Sequence, residues 1–150
     1  MTIEPIRKTV HVRCDVERAF ELFTQRMDTW WPLETHSRHD EVDGAKVERI
    51  EFPTEVGLPV LEHLSTGEAL PWGELLVHEP PSRVVIAWKP NATPRPPTEV
   101  EVRFTPEGEG TRVDLEHRAW ERLGDLAAEA RAGYETGWDP VLARFAAAAA

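Results

Sequence analysis

Between Gly44 and Trp120 the chain reads as six short alternating segments, and after Leu123 the apolar period changes to that of one long helix. This switch constrains the fold more than any other feature. The segments are "AKVERIEF" (45–52), "VLEHLS" (60–65), "WGELLVHE" (72–79), "RVVIAW" (83–88), "TEVEVRF" (98–104) and "TRVDLEHRAW" (111–120). Turn signals separate them: Gly57 and Pro59, Gly67, Pro80-Pro81, "KPNATPRPP" and "PEGEGT". Alternating apolar residues with hairpin-length links predict successive antiparallel strands. From Leu126 onward, Ala127, Ala130, Tyr134, Trp138, Leu142 (or Val141) and Phe145 recur at steps of three or four, a helix over about 124–148. At 1.5 Å per residue it spans roughly 37 Å, enough to cross a whole sheet. Asp139-Pro140 inside it predicts a kink or a break.

Upstream, "IRKTVHVR" (6–13) alternates as a further strand, with Ile6, Lys8, Val10 and Val12 on one face. Asp15 can cap a helix through "DVERAFELFTQ", whose Val16, Ala19, Phe20 and Phe23 share a face. A second short helix over Met27 to Trp31 must stop at Pro32. One antiparallel sheet of seven strands needs a covered face, and only the last helix is long enough to cover it. The expectation is an α+β chain in one domain, residues 1–150: a curved seven-stranded sheet wrapped around a long C-terminal helix. Two short helices lie between strands 1 and 2.

Composition narrows function. A net charge of −10 argues against a nucleic-acid surface, which needs clustered Lys and Arg. The single cysteine, Cys14, excludes an intramolecular disulfide and a multi-cysteine metal site. No apolar run approaches the roughly 18 residues of a membrane span, so membrane insertion is not expected and the cytoplasm is the default location.

Candidate site residues follow from faces. Gly133 and Gly137, four apart with Ala130 extending the row, make a small-residue face on the last helix. Each helical glycine costs about 1 kcal/mol relative to alanine, so the face serves either space for a ligand, close packing on the sheet, or a hinge beside Pro140. In the last strand, Val113, Leu115, His117 and Ala119 alternate with Asp114, Glu116, Arg118 and Trp120, which places His117 on the helix-facing side. There it is either a satisfied core histidine or a polar anchor in an apolar cavity. Val100, Val102 and Phe104 line the same face, and Trp72 and Trp88 supply either core or cavity wall. In "MDTWWPLETHSRH" (27–39), adjacent helical positions point about 100° apart, so one indole, that of Trp31, is expected to reach the interior. His36 and His39 stand three apart without further ligands at a recognisable spacing, and read as polar-loop residues rather than a metal site.

The motifs taken in order resemble the START-like, or SRPBCC helix-grip, superfamily, and within it the branch of the activator of heat-shock protein 90 ATPase homologues. The resemblance rests on "DVERAFELFT", "WWP", "EHLSTGEALPWGELLVHEPPSRVVIAW", "PTEVEVRF", "GTRVDLEHRAWE" and "GYETGWDPVLARF". It implies a hydrophobic cavity between sheet and helix that takes apolar or amphipathic ligands. Carried over, it implies that Trp31, Glu62, Trp72, Trp88, His117, Trp120, Tyr134 and Trp138 hold pattern positions, with Glu62 rather than His63 turned inward. With the residue-level readings, the candidate lining is Trp31, Glu62, Trp72, Trp88, Val100, Val102, Phe104, His117, Ala130, Gly133, Tyr134, Gly137 and Trp138.

Three functions fit. The first is binding of a small hydrophobic or amphipathic molecule, with no catalytic residue, metal or cofactor. The second is a cavity enzyme of the cyclase, dehydratase or hydrolase kind, with His117 or Glu62 as general base. The third is a co-chaperone-like or stress-associated interaction module. The partner expected is a small hydrophobic molecule, with a homodimer open and contact with a chaperone implied by the resemblance alone.

Overall fold

The computed structural model describes residues 3–38, 41–90 and 95–150. Seven strands form one antiparallel sheet: β1 (Ile6–Val12), β2 (Val47–Glu51), β3 (Pro59–Leu64), β4 (Ala69–Glu79), β5 (Arg83–Trp88), β6 (Thr98–Glu107) and β7 (Gly110–Arg118). Their spatial order is β1-β7-β6-β5-β4-β3-β2, so five consecutive hairpins build a meander and β1 adds to its far edge. The sheet curves around the C-terminal helix α2 (Ala127–Ala148). Between β1 and β2 lie helix α1 (Val16–Phe23) and a 3-10 turn, Met27–Thr29.

Local chemistry explains the short helix. The Asp15 carboxylate accepts the Arg18 N–H at 2.9 Å, an N-cap that satisfies one of the helix's orphan donors. Ala19, Phe20, Leu22 and Phe23 are buried, and Phe20 and Phe23 meet Phe104 edge-on at 5.2 and 5.8 Å. Phe23 also packs on Phe145 at 5.1 Å, so α1, β6 and α2 close one end of the core together.

The strands depart from the sequence expectation mainly at their ends. At Gly73, φ is +128° and a Cβ would fall inside the Ala87 carbonyl oxygen, so only glycine lets β4 approach β5 there. Beside it, Trp72 O accepts the Lys89 N–H at 2.7 Å. β7 stops at Arg118, because Ala119 adopts a left-handed φ of 71°. That reversal breaks the alternation and turns Trp120 inward; the expected outward face for Trp120 is corrected, since it is fully buried. A 3-10 stretch, Trp120–Leu126, then leads into α2, where a helix from 124 was expected.

Of the kink or break expected at Pro140, the break does not occur, and α2 runs through it as one helix. Proline removes one helical hydrogen bond, that to the Thr136 carbonyl. Both Thr136 and Pro140 are exposed, so water can solvate that carbonyl. Contacts on both flanks fix the helix. Lys8 pairs with Asp139 at 3.0 Å and Arg131 donates to Glu4 O at 2.6 Å on the β1 side, while Arg144 pairs with Glu34 at 2.7 Å on the other.

Candidate functional site

A cleft of about 360 Å³ opens between α2, Trp88 and the loop that follows Trp31. Its helix wall is Ala130, Gly133, Tyr134, Gly137, Trp138 and Val141, its indole walls are Trp31 and Trp88, and its rim is Thr35, His36, Ser37, Pro90 and Glu129. A Cβ built on Gly133 or on Gly137 meets nothing within 4 Å. The glycines are therefore not there for close packing; they face open space. Both have helical backbone rather than the left-handed φ found at six other glycines, so neither acts as a hinge.

The loop that forms the rim is held by a buried carboxylate. Glu62 is fully buried on β3, and its two oxygens accept the Arg38 N–H at 3.0 and 2.9 Å. One oxygen also accepts the Trp72 indole N–H at 2.9 Å. Burial raises the Glu62 pKa, against the lowering effect of these donors. Arg38 itself is buried, pairs with Glu41 through its guanidinium at 2.6 Å and donates to Pro71 O at 2.8 Å. Closer to the cleft, the Trp31 indole donates to His36 O at 2.7 Å, which sets the path of the rim. The latch is thus built from β3, β4 and the loop, and it presses Trp31 against Trp72 at 4.9 Å.

Behind the cleft, His117 joins three elements. Its Nδ1 accepts the Trp138 indole N–H at 3.1 Å, so the ring proton sits on Nε2 and is donated to Thr98 Oγ1 at 2.7 Å. Thr98 Oγ1 donates in turn to Trp88 O at 3.3 Å. Burial lowers the His117 pKa to about 3, and the ring is neutral. The histidine ties β7 to β6 and α2 and is flanked by Trp120 at 4.1 Å and Tyr134 at 4.8 Å.

Of the candidate residues, Trp31, Trp88, Ala130, Gly133, Tyr134, Gly137 and Trp138 come together around the cleft. Glu62, Trp72, Val100, Val102, Phe104 and His117 do not line it. They are buried behind it, as latch, relay and core. The expectation that only Trp31 of the indole pair turns inward is corrected. Trp30 is buried too, donating to Leu22 O at 2.8 Å and packing on Phe145 at 5.1 Å, because the second short helix is a single 3-10 turn, Met27–Thr29, that ends before the two indoles. His36, read as an incidental loop residue, lies on the cleft rim; His39 falls outside the described residues. Pro90, Thr35, Ser37 and Glu129 on the rim, and the latch residue Arg38, were not anticipated. Loop residues carry no periodic signal, and the Arg38 N–H is a backbone group common to nearly every residue.

Among the described residues no group of three potential metal-ligating side chains occurs, and no helix is long and apolar enough to cross a membrane. Those with large exposed apolar side chains are Val56 and Leu58 on the β2–β3 turn and Leu126 before α2.

A curved antiparallel sheet wrapped around one long helix, with a cleft beside that helix at Trp88, defines a helix-grip domain of the SRPBCC kind. The family model described as activator of Hsp90 ATPase homolog 1-like protein matches residues 13–150, and the chain belongs to that family. Among solved structures, the anthrahydroquino-γ-pyrone synthase Txn09, complexed with SUM, is 33% identical. That match covers 97% of this chain and 96% of the synthase, with a TM-score of 0.63. The Aha1 dimer from Colwellia psychrerythraea is 17% identical over 98% of this chain and 96% of its own, with a TM-score of 0.63. DynU16, from the dynemicin biosynthetic locus, is 19% identical over 96% of this chain and 46% of its own, with a TM-score of 0.63. No curated protein matches the sequence.

Proposed function

We propose that the chain binds a small, flat, mainly apolar molecule in the cleft between α2 and Trp88, with fused aromatic rings as the ligand class. The observation that carries this is the open space in front of Gly133 and Gly137, two helical glycines set among Trp31, Trp88, Tyr134 and Trp138. Helical glycine is costly, and here no neighbour requires it. Four aromatic side chains around that space offer stacking and edge-on contacts to a planar ring system, each worth about 0.5–1.5 kcal/mol beyond burial. The likeness to a synthase of fused-ring chemistry at 33% identity supports the ligand class.

Titration with fused aromatics, fatty acids and sterols tests this by tryptophan fluorescence and thermal denaturation. A ligand at one hundred times its dissociation constant stabilises the fold by about 2.7 kcal/mol, a rise of roughly 5–11 °C for a chain of this size. Unmoved fluorescence and melting temperature across the whole panel would sink the proposal.

One observation favours a second reading, an enzyme working in the same cleft: the 33% identical relative is a synthase. Both general-base candidates, His117 and Glu62, are engaged in buried hydrogen bonds away from the cleft. On that reading the chain's contribution is to fold and orient a reactive substrate and to exclude water, rather than to abstract a proton through either residue. Turnover of a fused-ring precursor that survives both His117→Gln and Glu62→Gln would support it; no turnover by the unaltered chain would remove it.

A further inference from the structure

A second, smaller cleft of about 170 Å³ lies on the other side of Trp88, floored by Trp120, Leu123 and Leu126. Both clefts are lined by Trp88, Pro90, Ala130 and Tyr134, so the Trp88–Tyr134 pair forms the partition between them. The Trp88 indole N–H donates to the Tyr134 hydroxyl oxygen at 3.3 Å. An indole N–H is only a donor, so the phenol must be the acceptor and its own proton is left over. Among the described residues no acceptor takes that proton.

We infer that the Tyr134 hydroxyl is the hydrogen-bond donor that anchors a carbonyl oxygen of the ligand, so the site selects planar aryl ketones over the matching hydrocarbons. This deepens the binding reading above and rests on it. Three features support it. The phenol oxygen is already oriented by Trp88, so donating costs little further ordering. Burial raises the Tyr134 pKa above its ordinary 10.0, so the group keeps its proton at every working pH. The Tyr134 ring packs against Trp120, Trp138 and the neutral His117, where an unmet donor is costly and a carbonyl acceptor is well rewarded. His117, at 4.8 Å from the Tyr134 ring, has both nitrogens occupied and does not compete for the proton.

The test uses 9-fluorenone and fluorene, which share a ring skeleton and differ at one carbonyl, titrated by calorimetry into the wild-type chain and Tyr134→Phe. The expected result is tighter binding of fluorenone than of fluorene by about three- to tenfold, as one net hydrogen bond gives. Tyr134→Phe removes that preference, so that the two compounds bind the variant with equal affinity. Infrared spectra should show a lower carbonyl stretching frequency for fluorenone bound to wild type than to the variant. Equal affinities for the two compounds, or a preference that persists in Tyr134→Phe, overturn the inference while the binding reading stands. Binding of neither compound at millimolar concentration overturns the inference, and a panel without any binder removes the reading beneath it. A melting temperature of Tyr134→Phe equal to wild type shows that the fold is intact.

Discussion

Replacing both helical glycines with alanine should make the protein more stable. In Gly133→Ala/Gly137→Ala each new methyl group enters open space, since no atom lies within 4 Å of either built Cβ. Both positions have helical backbone, so alanine adopts the same conformation without strain and the gain comes from the reduced freedom of the unfolded chain. Each change is worth about 0.4–1 kcal/mol, and with no shared neighbour the two add. The sum, roughly 1–2 kcal/mol, raises the melting temperature by about 2–8 °C for a chain of this size. Circular dichroism at 222 nm during heating measures it directly, with urea denaturation as a check that the slope is unchanged. Had the glycines served close helix-on-sheet packing, the same double variant would lose about 1–3 kcal/mol per overpacked site. An unchanged or lower melting temperature would therefore refute the open cleft over this helix face.

His117 is neutral in the fold and titrates near its ordinary value when unfolded, so the unfolded chain binds the extra proton and stability falls with acidity. The loss begins near pH 6.5, reaches about 2 kcal/mol at pH 5 and continues towards pH 3; in His117→Gln that part of the pH profile of urea midpoints should flatten. Glu62→Ala leaves the Arg38 N–H and the Trp72 indole without a buried acceptor, at about 1–3 kcal/mol each, and should speed proteolytic cleavage between residues 32 and 38. Glu62→Ala with wild-type stability and cleavage rate would mean that the latch does not hold the rim. Gly73→Ala should cost about 3 kcal/mol or more, because its φ of +128° and the Ala87 carbonyl leave no place for a methyl group; soluble, stable Gly73→Ala protein would contradict that geometry.

Much of the architecture was legible because it repeats. Alternation across 83–88 and 98–104, and the three-to-four spacing from Ala127 to Phe145, are periodic signals that a backbone of fixed geometry must obey. The small-residue face was legible too, though not its purpose; the cleft in front of it is completed by Trp31 and Trp88, which come from other elements. What escaped was set by single backbone angles and long-range hydrogen bonds. The left-handed turn at Ala119 reversed Trp120, and no glycine or asparagine marks it. Trp30 and Trp31 both turn inward because Trp30 itself has a φ of −133°, outside any helix. The rim around His36 follows from Glu62 capturing the Arg38 N–H across 24 residues, a pairing that local pattern does not encode.

The central claim is that a ligand occupies the space between Gly137, Trp31, Trp88 and Trp138. Indole N–H resonances in 15N-labelled protein report on it directly, because the six tryptophans divide into three that line this cleft and three that do not. On titration with 9-fluorenone, the signals of Trp31, Trp88 and Trp138 should shift with a common dissociation constant, while that of Trp30 stays in place. In Gly137→Leu, whose side chain fills the cleft, those shifts should disappear from a protein that still folds. Shifts confined to Trp30 or Trp120, or shifts at the three cleft indoles that persist unaltered in Gly137→Leu, would contradict the account.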